Sequence, residues 1–286
     1  MQTHRLFIIT LLCSMFLIQP NLIAEDEEEP VYGWKSQVVG GLNLTQAQFD
    51  NWIQGGENTL AWQININSAF ELNQERFNWT TTSKGSYGQA KIGDLQSRKS
   101  ADELRIETVY LHKLGVYVHP YVSALLQTQF TRGYRYEEDE RFPVSNLFDP
   151  GYITLSAGVG YEPVPILKTR LGAATKTTIT REFAVGLTDD PATDRIEKVD
   201  TEFGALSVTE LRTPLAENIL LTSKLDLFSN LESLKQVDVR WDTIISAKVA
   251  RYVDVSLNIE LLYDSNISPK RQLKQLLALG LSYTFI

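Results

Sequence analysis

From residue 34 onward the chain alternates apolar and polar positions with a period of two, in stretch after stretch. The clearest case spans residues 58–72, where Leu60, Trp62, Ile64, Ile66, Phe70 and Leu72 share one parity and Gln63, Asn65, Asn67 and Glu71 the other. Successive side chains of a strand point to opposite faces, whereas a helix repeats every ~3.6 residues, so each stretch predicts a strand with one apolar face. Twelve stretches can be traced, at residues 34–48, 58–72, 76–88, 103–113, 115–132, 151–161, 166–181, 201–210, 217–229, 236–249, 252–264 and 273–286. The last keeps Leu273, Leu277, Leu279, Leu281, Tyr283 and Phe285 on one face as far as the end of the chain. Strands of soluble sheets usually run ~5–6 residues. A tilted strand crossing a bilayer needs ~9–11, which most of these stretches supply.

The connections alternate as well. Short gaps at 73–75, Leu114, 162–165, 211–216 and 250–251 take turns with long ones at 89–102, 132–150 and 182–200, which are rich in Gly, Pro and charged residues. Short turns at one end and long loops at the other are the habit of outer-membrane barrels, with both termini on the periplasmic side. The aromatics Trp62, Phe70, Phe77, Trp79, Tyr110, Phe130, Trp241, Tyr263, Tyr283 and Phe285 fall on the apolar parity, as interfacial girdles would place them. The fold expected is therefore all-β: a transmembrane antiparallel β-barrel of about twelve strands over residues 34–286, in the bacterial outer membrane. It is preceded by a cleaved signal peptide over 1–24, with Arg5, an apolar run to Ile18 and a small residue at Ala24. A short acidic periplasmic tail fills 25–33.

Composition narrows the function by exclusion. The net charge is −8, and the run from Glu25 to Glu29 carries five of those charges, so nothing basic is left to form a nucleic-acid footprint. The one cysteine, Cys13, lies in the leader, which removes disulfides and thiolate chemistry from the mature chain. Beyond the leader the only histidines are His112 and His119, seven residues apart on different strands, without metal-ligand spacing. Gly158-Val159-Gly160 lacks the third glycine and the following helix of a phosphate loop. No catalytic residue, metal or cofactor is expected, and no enzyme.

What chemistry remains faces the lumen. Inward parity takes Glu103, Arg105, Glu107, Lys224, Asp238, Arg240, Asp242 and Glu260, with Glu71, Lys84, Lys168, Arg170, Asp226, Lys248, Asp254 and Lys274 beside them. Arg105 between Glu103 and Glu107, and Arg240 between Asp238 and Asp242, predict ion pairs along each strand. Eight strands are filled by side chains and ~16–18 leave a channel, so a ring of twelve is compatible with either outcome. The expectation is a monomeric barrel among outer-membrane lipid, serving as a narrow pore for small polar solutes or as an envelope-structural barrel. The alternative is a plugged barrel that binds or scaffolds through its outer loops.

The cluster Asn51-Trp52-Ile53-Gln54-Gly55-Gly56-Glu57-Asn58 carries a further clue. Taken with Phe148-Asp149-Pro150-Gly151-Tyr152, Phe228-Ser229-Asn230, Tyr263-Asp264 and the Gly280–Phe285 ending, it resembles the bacterial family called domain of unknown function 3078. The likeness runs over residues 34–286. It implies an outer-membrane barrel of a Gram-negative bacterium and lends no catalytic residues. In physical terms Asn51, Trp52, Gly55, Gly56 and Asn58 form an outer turn, with the adjacent glycines free to take positive φ.

Gly280, Tyr283 and Phe285 keep the spacing Gly-x-x-aromatic-x-aromatic, which resembles the C-terminal signal read by the barrel assembly machinery, although Ile286 follows the last aromatic. A last strand offers an unpaired edge that a partner can engage until the first strand closes the ring. Replacing Tyr283 and Phe285 together by alanine is expected to collapse outer-membrane levels in cells, measured by fractionation, while refolding in detergent persists. Normal levels would leave the two rings as girdle residues only.

Overall fold

The computed structural model describes residues 31–286 apart from 51, 52, 54, 55, 116, 138, 139, 232–236, 265 and 267. The signal peptide and residues 25–30 of the acidic tail lie outside the described residues, as do Asn51, Trp52 and Gly55 of the predicted turn. Long alternating stretches become long strands: β1 (Gly33–Ala47), β2 (Thr59–Asn73), β3 (Phe77–Ile92), β4 (Arg98–His112), β5 (Val118–Thr128), β6 (Gly133–Glu137) and β7 (Glu140–Ser145). There follow β8 (Gly151–Val164), β9 (Leu167–Ile179), β10 (Val199–Ala216), β11 (Ile219–Asn230), β12 (Val237–Lys248), β13 (Val253–Tyr263) and β14 (Gln272–Thr284). Twelve of these close into one antiparallel barrel in chain order, and β6 and β7 form a separate hairpin between β5 and β8. Closure gives each strand two partners, and an apolar face on every strand then wraps the whole cylinder.

The outside carries that face. Ile66, Val122, Leu171, Phe203, Trp241 and Leu277 sit on strands spread round the ring, and each is between 47% and 72% exposed. The inside mixes polar and apolar side chains, with Ser86, Thr128, Ser156 and Thr178 buried beside Leu111, Tyr121, Val208 and Phe228. At the terminal end, Tyr283 packs edge-on against Phe285 at 5.0 Å and lies 6.0 Å from Tyr252, a cluster of rings on the outward parity.

Several boundaries differ from the sequence reading, among them the turn expected at 162–165, where β8 runs on to Val164, and three further connections. Residues 211–216, expected as a turn, belong to β10, which stays in register with β11 through Arg212↔Thr222 and bulges between Pro214 and Ala216. A bulge is where a residue lacking an N–H can sit in a ladder, and the turn itself falls at 217–218. The expected loop 89–102 shortens to 93–97, because β3 and β4 go on pairing past a bulge at Gly88/Gln89 and turn at Gly93, φ 56°. The expected loop 132–150 is not all irregular: Tyr134 and Tyr136 alternate with charged residues and pair with Pro143 and Arg141 in the β6–β7 hairpin.

The ring closes on a short seam. β1 pairs with β2 over fifteen residues but with β14 over five, from Val39↔Thr284 to Asn43↔Gly280. Two further bonds extend it at the terminal end, from Phe285 N–H to the Val38 carbonyl at 2.8 Å and from Val38 N–H to the Ile286 carbonyl at 3.2 Å. Two glycines make room for side chains there. A Cβ on Gly40 would lie 2.9 Å from the Phe285 ring, and one on Gly280 would lie 2.3 Å from Asn43 Oδ1.

The tightest strand contact lies elsewhere, where Gly158 of β8 faces Gly172 of β9 beside the buried Tyr121. A Cβ on Gly158 would stand 2.1 Å from the Leu171 carbonyl oxygen, a main-chain atom that cannot rotate away. Gly158→Ala is expected to cost about 1–3 kcal/mol by overpacking, measured as a lowered urea midpoint of the refolded barrel. An unchanged midpoint would mean that the two strands separate freely at this point.

Candidate functional site

β4 and β12 stand six places apart in the ring of twelve, so their inward side chains meet across the bore. Arg240 of β12 makes the crossing. Its Nη2 donates to Glu103 Oε1 of β4 at 2.5 Å and lies 2.8 Å from Glu260 Oε1 of β13, while Nε donates to Asp242 Oδ2 at 3.0 Å. Arg105 crosses in the other direction, with Nη2 donating to Asp226 Oδ2 of β11 at 2.7 Å. Glu107 accepts from Arg170 Nη2 of β9 at 2.7 Å and from Lys224 Nζ of β11. Glu210 of β10 lies 3.1 Å from both of those cations, and Lys84 of β3 lies 2.9 Å from Glu103. With its amide oxygen turned toward them, Gln127 accepts from Arg105 Nη1 and Arg240 Nη1 at 2.9 Å each.

These residues form a layer of charge at mid-bore, six carboxylates meshed with five cations. Removing such groups from water costs several kcal/mol each unless every charge is answered by another, and the meshing supplies that answer. Burial is deepest at the centre, where Glu107 is 7% exposed and Arg105 and Arg170 are 8%.

All eight lumen charges named from sequence point inward, and seven of them join the layer. Asp238 does not. The sequence expects Arg240 to hold Asp238 and Asp242 together, but Arg240 spends its fork on Asp242, Glu103 and Glu260. Asp238 Oδ2 instead accepts from Lys176 Nζ of β9 at 2.7 Å. The pairing expected along β4 is also weak, with Arg105 and Glu107 3.9 Å apart, because both groups have shorter partners across the bore. Lys176, Glu202, Glu210 and Asp264 are functional-site residues that the sequence reading passed over. Inward parity was their signal: Lys176 follows Arg170 at an even spacing on β9, as Glu202 and Glu210 flank Val208 on β10.

The layer divides the bore into two cavities. The one toward the long loops is ≈ 520 Å³ and the one toward the termini ≈ 940 Å³. Glu103, Glu260 and Lys274 line both, so the two volumes meet at the layer. His119 lies toward the terminal end, buried, with the Leu114 N–H donating to its Nδ1 at 3.2 Å, while His112 is exposed.

The motif segments occupy defined places. Asp149, 1% exposed, accepts the N–H groups of Arg181, Glu182 and Phe183 at 2.8, 2.7 and 3.4 Å, which ties the start of the β9–β10 loop to the entry of β8. Phe148 beside it has φ 52° and donates its N–H to Thr128 Oγ1 at 2.9 Å. Asn58 Oδ1 accepts the Phe49 N–H at 2.7 Å, and Gly56, φ 147°, leaves the space that the Phe49 ring fills. Gly280, Tyr283 and Phe285 all lie at the β1–β14 seam.

The class defined by this geometry is a closed antiparallel barrel with an apolar exterior and a charged bore. Residues 44–134 match the model of a family described as a protein of unknown function, DUF3078, the same family that the sequence motifs resemble. No curated protein matches the sequence. Among solved structures, the translocator domain of the autotransporter NalP from Neisseria meningitidis is similar at 11% identity, with 90% of each chain covered and a TM-score of 0.42. An outer membrane channel from Pseudomonas putida F1 is similar at 11% identity, covering 93% of this chain and 98% of that one, with a TM-score of 0.41. The NanC porin is similar at 7% identity, covering 87% and 97%, with a TM-score of 0.37.

Arg240→Ala would leave Glu103, Asp242 and Glu260 facing one another without the guanidinium. The expected loss is about 3–5 kcal/mol in urea unfolding of the refolded barrel, the usual result of removing one partner from a buried pair. An unchanged midpoint would mean that water already solvates the layer.

Proposed function

We propose that the protein is an outer-membrane barrel that passes small polar solutes through a bore held shut at rest by the Glu103–Arg240–Glu260 layer. The membrane location is supported by the apolar belt: a cylinder exposing Ile66, Leu171, Phe203 and Leu277 on all sides is stable in lipid and sticky in water. Lipid is then the main partner, and the assembly machinery that reads the C-terminal strand is a transient one. The chain is proposed to work as a monomer and without a catalytic role.

One observation carries the passage itself. The two cavities meet at side chains of a single layer, since its Glu103 and Glu260 line both of them, with Lys274 beside them. Opening therefore requires rotamer changes in a few long side chains and leaves the main-chain ladder intact. The second reading, a plugged barrel acting through its loops, draws support from Asp149 and the β6–β7 hairpin, which give the long-loop end a fixed form.

Single-channel recording on refolded protein in planar bilayers tests this. The expected result is small, infrequent openings for the wild type and larger, longer ones for Arg240→Ala. Silence from both proteins, each incorporated and folded, would overturn the passage and favour the loop-acting barrel. Cell fractionation checks the location: a soluble periplasmic monomer would overturn it.

A further inference from the structure

We propose that the cavity toward the long loops is a binding site for a small amphipathic cation, a primary ammonium carried on an apolar body. This goes beyond the passage of small polar solutes by adding a ligand that is retained within the bore, and it rests on the reading of the bore as a solute path for its biological sense. The binding itself needs only the folded barrel.

The argument begins with Lys176. Its ammonium sits between Asp238 Oδ2 at 2.7 Å and Asp264 Oδ2 at 2.6 Å, with Glu202 at 3.6 Å and the Phe228 ring centroid at 5.7 Å. Carboxylates on two or three sides and an aromatic face on another are what recognise an R–NH₃⁺ group. The chain has thus built an ammonium cage and put one of its own lysines in it. Three carboxylates around one ammonium leave two negative charges in excess. Elsewhere along the lining the carboxylates are answered, Glu103 by Lys84 and Arg240, Glu107 by Arg170 and Lys224, and Asp102 by Lys99, so the excess is local to the Lys176 cage. An anion is repelled from such a cavity and a second cation is drawn in.

A cavity made for hydrated inorganic ions would be polar throughout, and this one is not. Leu125, Leu206, Val208, Phe228 and Leu262 all line it. They stand on the inward parity, and Val208 and Phe228 among them are buried. An apolar wall with a few convergent polar groups is the usual form of a small-molecule site, and ≈ 520 Å³ lies within the ~300–1,000 Å³ such sites occupy. The wall takes the body of the ligand and the acidic cage takes its head. Among the described residues no group of three His, Cys, Asp or Glu is arranged to hold a metal ion, and the Lys176 ammonium occupies the point between these carboxylates. Tyr152, Phe228 and Asp264, from three separate motif segments, all reach this one cavity.

The test is calorimetry on the refolded full chain in detergent, titrated with n-hexylammonium, methylammonium, n-hexanol and n-hexanoate. Folded mobility on unheated gels is checked for every variant. The expected result is that hexylammonium binds at least tenfold more tightly than methylammonium or hexanol, and that hexanoate gives no binding heat. Asp264→Asn, which weakens the cage, should reduce hexylammonium affinity about tenfold. Lys176→Met, which vacates it, should raise that affinity, an effect no merely structural role for Lys176 would produce. Equal affinity for hexylammonium and hexanol in folded protein overturns the proposal, as does indifference to both substitutions. Because no bilayer or current enters the measurement, absence of conductance would refute the passage and leave the site standing. Absence of binding would refute the site and leave the passage standing.

Discussion

Much in this molecule follows from the need to satisfy main-chain N–H and C=O groups beneath a continuous apolar surface, which in the proposed membrane setting excludes water. An apolar belt as continuous as the one through Ile66, Leu171 and Leu277 offers no outside partner to a free strand edge, so the sheet must close on itself. Closure fixes the alternation, because each strand then has one face in the belt and one in the bore. It also removes the loops from the wall and sends them to the two ends. The Gly158–Gly172 approach and the bulges at Gly88/Gln89 and Pro214/Ala216 are local adjustments within that one constraint.

The bore inherits the opposite problem. Its polar side chains are crowded into a narrow cylinder with limited water, so each charge has to find its counter-charge among the others. The partners come from far away in sequence: Arg240 and Glu103 are 137 residues apart, and Arg105 and Asp226 are 121. Such long closures are the slowest contacts for a chain to make, and they become available only once the ring has formed. The mid-bore layer is in this sense a product of the barrel more than a cause of it. Toward the long loops the balance fails: Lys176 faces three carboxylates, and apolar residues replace part of the polar lining. A local excess of charge amid a balanced bore is where function is best sought.

The strand positions were legible because alternation is a local property. Residues 252–264 and 58–72 announce β13 and β2 to within a residue or two, since nothing in those stretches interrupts the period. Where small residues or proline interrupt it, as from Leu211 to Ala216, the register with β11 carries the strand on, and that register is invisible in one sequence. The same limit governs the site. Parity tells which way Arg240, Asp238 and Lys176 point, but it carries neither the height of a residue in the bore nor the strand opposite it. That is why Asp238 was assigned to its neighbour on β12 while it belongs with Lys176 on β9. The β6–β7 hairpin was missed for a different reason: five- and six-residue strands lie below the length at which a period of two stands out from a loop.

The seam between β1 and β14 gives the ring an unequal circumference of strength. Five paired residues and two further main-chain bonds hold it, against fifteen paired residues between β1 and β2, and Gly40 and Gly280 make room there for Phe285 and Asn43. A hoop loaded evenly parts at its buckle. An opening of the wall is therefore expected to begin at this line, where the fewest ladder bonds have to part, with the other eleven junctions still joined. The cylinder then becomes for a moment a curled sheet with two bare edges, the same form in which its last strand awaits its first.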